Sequence, residues 1–133
     1  MILVLDASVI IKWFNKEKDS NIALRIREEY YRGMHEIVVP DLLLYEISNA
    51  LRYNNEFSVS DISKAVDSII DIGITITVPE RNLLDKAVVM ARKENITVYD
   101  AVYIALASEI NAKFITADEK LKHIKGVTFI TAY

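Results

Sequence analysis

A three-layer α/β/α domain with a roughly five-stranded parallel sheet and helices on both faces is the fold class this sequence predicts, and three observations predict it. Short apolar strand-like runs alternate with helical periodicities along the whole chain. The first run, Ile2 to Leu5, is apolar on consecutive residues, as a strand buried on both faces requires. The connections between successive runs are long enough for the crossovers that parallel pairing needs.

Taken in order, Ile2–Leu5 forms a strand that stops at Asp6, and VIIKWF follows as a short helix. From about Ser20 to Arg32, the residues Ile22, Ile26 and Tyr30 recur at helical spacing, and EIVV is the next strand. Pro40 and Asp41 end it and open a helix, LLLYEISNALRY. Leu43, Ile47, Ala50 and Leu51 make its apolar face, beside a polar face of Glu46, Asn49 and Tyr53. After the polar NNEFS loop, Ile62, Ala65, Val66, Ile69 and Ile70 mark another helix, and ITITV alternates as a strand before Pro79.

The next helix carries Leu83, Leu84, Ala87, Val88 and Ala91, and Asn95 ends it. A helix then runs from about Val98 to Ile110, with Thr97 and Asp100 at capping spacing and seven apolar residues directly after the acid. KFIT is a strand, ADEKLKHI a short helix with Thr116 and Glu119 again at capping spacing, and VTFI the closing strand. In parallel sheets ligands bind beyond the carboxyl ends of the strands, where strand order reverses. If the first strand and KFIT are neighbours, Asp6 and Asp118 share one such crevice.

Composition bounds the function. With 133 residues and 52% hydrophobic side chains the chain is expected to be one domain, residues 1–133, with an ample core. The 3 Gly stand singly at Gly33, Gly73 and Gly126, so there is no glycine-rich phosphate loop. Having no Cys excludes disulfides, thiolate nucleophiles and cysteine metal sites, which leaves oxygen to hold any metal and fits a reducing cytoplasm. His35 and His123 lack ligand spacing and read as solvated. No apolar run reaches the ~18 residues of a membrane span, so no membrane partner is expected. A net charge of −3 gives no general attraction to nucleic acid, so a phosphate partner must be drawn locally or through a cation.

Four acids remain: Asp6 in VLDAS, Glu46 in LLLYEISNAL, Asp100 in ITVYDAVYIALA and Asp118 in FITADEKL. Each has an ordinary explanation as a helix cap, a first-turn acid or an ion-pair partner. Together they share a pattern, since three stand at strand-to-helix or helix-opening positions beside small or hydroxyl residues. Two carboxylates ~4 Å apart repel by ~4 kcal/mol at an effective dielectric near 20. Several can converge fully ionised only around a cation, and Mg²⁺ or Mn²⁺ suits an oxygen-only site.

At these residues the chain resembles the PIN-domain family of metal-dependent nucleases, in particular the VapC-like toxins of toxin–antitoxin pairs. The motifs appear in order: D-x-S after the first strand, E-x-x-N-x-L on an early helix, D before an Ala-rich apolar helix, and T-x-D before a short helix. The resemblance implies that Asp6, Glu46, Asp100 and Asp118 are the catalytic, metal-holding acids, with Ser8, Asn49 and Thr116 as supporting polar groups. It implies an endoribonuclease using Mg²⁺ or Mn²⁺ and a metal-activated water, leaving 5′ phosphate and 3′ hydroxyl ends. It also implies an antitoxin partner and a homodimer, for which Tyr30, Tyr31, Tyr45 and Tyr53 are candidate face residues. Lys12 and Arg52 are candidate contacts for flanking RNA phosphates, with solvated surface charge as the alternative. Trp13 and Phe14 are expected in the core or at an interface.

Two other classes stay open. A catalytically silent RNA-binding or scaffolding domain would keep the fold and lose turnover. A phosphatase or phospho-acceptor domain fits less well, because Ser8 stands where aspartate-nucleophile phosphatases carry a second Asp.

Overall fold

The computed structural model describes all residues, 1–133. The chain begins with β1 (Ile2–Leu5) and the one-turn helix α1 (Ala7–Ile10), which continues as a 3₁₀ turn over Ile11–Trp13. It continues through α2 (Ser20–Tyr31), β2 (Glu36–Pro40), α3 (Leu42–Leu51), α4 (Val59–Asp71) and β3 (Thr75–Thr77). Then follow α5 (Arg81–Glu94), α6 (Val98–Glu109), β4 (Lys113–Thr116), a 3₁₀ turn at Glu119–Leu121 and β5 (Val127–Phe129). The five strands form one all-parallel sheet in the order β3-β2-β1-β4-β5. This is a three-layer α/β/α fold, and no helix is long and apolar enough to cross a membrane.

β1 sits at the centre because its sequence leaves it nowhere else to go. Successive strand residues point to opposite faces, and Leu3, Val4 and Leu5 are all fully buried, so helices cover both faces. The chain winds outward from β1 through β2 to β3, then returns to the other side of β1 as β4. The strand order therefore reverses between β1 and β4, where a crevice opens at the carboxyl ends. Leu5 pairs with Ile115, and the next step of that register brings Asp6 beside Thr116.

α6 explains the long apolar run after Asp100. It packs on α5 and against β1, β2 and β4 at once. All seven residues from Ala101 to Ala107 are buried as a result. A helix enclosed on every side has no polar face to display, so its first turn is the place where a carboxylate can reach the surface. Thr97 caps that turn, its hydroxyl accepting the Asp100 backbone N–H at 3.0 Å.

Some expectations are corrected. The ITITV strand is only Thr75–Thr77, an edge strand paired on one side to β2. The helix expected over ADEKLKHI is a single 3₁₀ turn capped by Asp118, whose carboxylate accepts the Lys120 N–H at 3.0 Å. Thr116 does not cap it, because its hydroxyl is committed to Asp6. His35 is buried rather than solvated, with its ring tilted 30° to that of Tyr30 at 6.5 Å between centroids and Glu29 at 3.7 Å. Trp13 is a core residue as expected, donating its indole N–H to the Ala23 carbonyl at 2.9 Å.

Candidate active site

The crevice is built from hydroxyls inward. Asp6 follows β1 and caps α1, accepting the Val9 N–H at 3.3 Å on Oδ1. The same Oδ1 accepts a short hydrogen bond from the Ser8 hydroxyl. Thr116, the last residue of β4, donates its hydroxyl to Oδ2 at 2.5 Å. Each hydroxyl also accepts a backbone N–H, Ser8 from Ala117 at 2.8 Å and Thr116 from Asp118 at 3.1 Å. Both hydroxyls thus have a donor and an acceptor role filled, and both point their protons at Asp6. The set ties the ends of β1 and β4 together and fixes the carboxylate.

Three other acids extend outward from this centre, each from a different element. Glu46, on α3, accepts the Tyr103 hydroxyl of α6 at 2.6 Å. Asp100 stands in the first turn of α6, and Asp118 opens the turn after β4. Burial is the main cause of the raised Asp6 carboxyl, pushed up to about 7. The hydrogen bonds from Ser8, Thr116 and Val9 oppose it, and the Glu46 charge adds to it. Burial likewise raises Glu46, with the Tyr103 hydrogen bond opposing and Asp100 adding. Asp100 is raised by burial and then by the charge of Asp118, against the Thr97 hydrogen bond and the Lys120 charge. Like-charge neighbours thus link the four acids in a row: Asp6, Glu46, Asp100, Asp118. Tyr103 sits among them, its hydroxyl driven far above the ordinary range by burial and by the carboxylates around it.

A PIN domain model matches residues 3–127. The chain belongs to the PIN-domain family. It is VapC-like within that family: Ribonuclease VapC3 of Pyrobaculum aerophilum is 30% identical over 125 residues, covering 91% of this chain and 92% of the relative. Two solved structures share the fold. VapC20 of Mycobacterium tuberculosis, described as a Sarcin-Ricin loop cleaving toxin, superposes with a TM-score of 0.73 at 13% identity, over 94% of this chain and 96% of its own. A toxin–antitoxin complex from Klebsiella pneumoniae gives 0.72 at 13% identity, over 96% and 97%.

The supporting residues of this PIN domain divide into two groups. Ser8 and Thr116 stand against Asp6. Asn49 does not join the acids; its Oδ1 accepts Nε of Arg52 at 2.9 Å. Arg52 also donates to the Tyr53 hydroxyl at 2.7 Å and lies over the Tyr53 ring at 4.2 Å, which leaves three of its five N–H groups free. Lys12 is paired with Glu17 at 3.0 Å, and its side chain is only 10% exposed.

Sequence reasoning missed three neighbours of the site. Tyr103 looked like one more apolar residue of α6, and only the approach of α3 gives its hydroxyl an acid to bind. Lys120, with Nζ 3.9 Å from Asp118, was hidden in a charged run on a short turn. His123 lines a cavity beside Asp100, far from it in sequence.

The donor set suits a hard divalent ion: it is all oxygen, and in three of its acids burial, with a neighbouring carboxylate adding to it, disfavours the ionised form until a cation compensates the charge. No three Asp, Glu or His side chains stand close enough to enclose an ion as they are arranged. Mg²⁺ does not need such a cage, because it binds through one or two carboxylates and completes its octahedron with waters and substrate phosphate.

Proposed function

We propose that this VapC-like PIN domain is a divalent-metal-dependent endoribonuclease, the toxin of a toxin–antitoxin pair. The observation that carries the reading is the row of four acids at the β1–β4 reversal, Asp6, Glu46, Asp100 and Asp118, the first three raised chiefly by burial and the row anchored on an Asp6 held by two hydroxyls. In this reading Asp6, Glu46, Asp100 and Asp118 are the catalytic acids, and they hold Mg²⁺ or Mn²⁺. Bound there, the ion supplies a nucleophilic water at neutral pH and neutralises charge on the scissile phosphate.

The chain's own groups do the positioning. Ser8 and Thr116 aim Asp6 by donating to both of its oxygens, and Tyr103 fixes one oxygen of Glu46. Arg52, with its plane set by Asn49 and Tyr53, meets a flanking phosphate through its free N–H groups. Lys12 reaches a phosphate only after leaving Glu17, so it contributes less.

The 133 residues act as one domain in the cytoplasm, restrained by a cognate antitoxin and paired as a homodimer. Kinship with VapC3 and the fold shared with a toxin–antitoxin complex support the antitoxin. Tyr31, Tyr45 and Tyr53 are exposed and available to an interface, whereas Tyr30 spends its hydroxyl on the Ile72 carbonyl at 2.8 Å. Light scattering of the purified chain tests the pairing, with a monomer mass overturning it.

The deciding experiment is a cleavage assay on structured and single-stranded RNAs with Mg²⁺, Mn²⁺ or EDTA, beside Asp6→Asn. Cleavage that needs the ion and disappears in the variant supports the reading. Cleavage retained by a clean Asp6→Asn preparation overturns it, and RNA binding without cleavage under every condition favours the non-catalytic scaffold instead.

A further inference from the structure

A cavity of about 640 Å³ opens directly beside Asp100. That volume falls within the roughly 300–1,000 Å³ of small-ligand sites. Glu94, Asn95, Ile96, Thr97, Asp100, Lys120 and His123 line it.

Both of its walls are fixed by the fold. One is the three-residue connection between α5 and α6. Asn95 ends α5 in the left-handed region at φ 54°, and the Ile96 N–H returns to the Ala91 carbonyl at 3.0 Å. Thr97 then caps α6. The other wall is the turn after β4, pinned from beneath by buried Leu121 and Ile124. These two anchors leave Lys120 and His123 exposed toward the cavity.

The chemistry of the lining is selective. Ile96 offers an apolar surface, His123 a flat ring, and Asn95 and Thr97 an amide and a hydroxyl that can donate and accept. Lys120 contributes a mobile positive charge: its pair with Asp118 at 3.9 Å is solvent-exposed and easily exchanged for a phosphate. A ring to stack on, amide and hydroxyl groups for base edges, and a cation for the backbone together describe a site for an unstacked nucleotide.

We propose that this cavity is the subsite for the nucleotide adjoining the scissile phosphate, with His123 stacking on its base and Lys120 contacting its phosphate. The inference rests on the nuclease reading for its substrate class. It assigns the recognition of single-stranded RNA next to the cleavage point to the α5–α6 connection and the post-β4 turn.

The test measures binding separately from cleavage. Fluorescence anisotropy of a labelled single-stranded octaribonucleotide with Mg²⁺ is read in an Asp6→Asn background, alone and combined with His123→Ala, His123→Phe or Lys120→Met. Wild-type cleavage is assayed in parallel. His123→Ala is expected to weaken binding about tenfold, and His123→Phe, which keeps a stacking face, to restore most of it. Lys120→Met is expected to weaken binding and lower the slope of log affinity against log salt by about one, a change His123→Ala should not make. Lys64→Met, on the exposed face of α4, serves as the control for general charge.

If the His123 and Lys120 variants bind like the background while the wild type cleaves RNA, the subsite is overturned and the nuclease reading stands. If they lose binding while the wild type cleaves nothing under any ion, the subsite stands and catalysis fails. Absence of RNA binding by every form overturns both.

Discussion

The two halves of the acidic crevice are built on opposite principles. Around Asp6 the site is closed: the carboxylate is 6% exposed, Thr116 is fully buried, and each hydroxyl has its partners. Around Asp100 and Asp118 it is open, with half-buried acids, an exposed lysine and a cavity. Buried polar networks cost most when broken, because every orphaned member loses solvation as well as a partner. Exposed ones are cheap to rearrange. The closed half is therefore suited to hold one carboxylate still, and the open half to admit substrate and adjust around it.

The largest expected effect crosses both halves. Asp6→Asn and Asp100→Asn should each reduce RNA cleavage by more than about 100-fold, beyond the usual cost of a residue that only supports a metal ligand. Both should remain folded by circular dichroism, since Asn at position 6 caps α1 about as well as Asp and the Thr97 cap of α6 is untouched by Asp100→Asn. A variant with near-normal cleavage would remove its half from the chemistry.

Next is metal binding. Mn²⁺ at a hundred times its dissociation constant should stabilise the wild type by about 2.7 kcal/mol, read as a rise in melting temperature. The rise should shrink in Asp100→Asn. An equal rise in both proteins would place the ion elsewhere.

The contrast itself is tested by two threonines. Thr116→Val removes a donor to buried Asp6 and strands the Asp118 N–H, and should cost about 1–3 kcal/mol in denaturant unfolding. Thr97→Val removes an exposed cap and should cost about 1 kcal/mol or less. Equal costs would erase the distinction between the halves.

The contrast also sets how the metal-free protein responds to pH. The Asp6 carboxyl stands at about 7 in the fold against 3.8 when unperturbed, so between these values the folded state holds a proton that the unfolded chain has released. Its contribution to stability is complete below the lower value and is lost as pH rises through the upper one. Glu46 and Asp100 shift in the same direction. The melting temperature without metal should therefore fall from about pH 5 to about pH 8, and Asp6→Asn should flatten that slope. A slope unchanged in the variant would assign the effect to other groups. Buried His35, held below its ordinary value chiefly by desolvation, acts oppositely: the unfolded chain takes up its proton first as pH falls, so it adds an acid-side loss.

The sequence by itself determined the strand at Ile2–Leu5, the capped start of α6, the parallel α/β class and the four acids in order. Those are local signals: an apolar run, a hydroxyl three residues before an acid, a motif at a strand end. It could not determine the partners of those acids, because hydrogen bonds between Ser8 and Ala117, Thr116 and Asp6, or Tyr103 and Glu46 join residues 57 to 110 positions apart. The β1–β4 register chose Thr116 as a ligand of Asp6 over its apparent capping role, since a buried carboxylate gains more from a donor than an exposed turn does. The approach of α3 to α6 turned Tyr103 from core filler into the partner of Glu46. The same tertiary packing sent Asn49 to Arg52, and brought Lys120 and His123 to the edge of Asp100, where no spacing in the sequence could have put them.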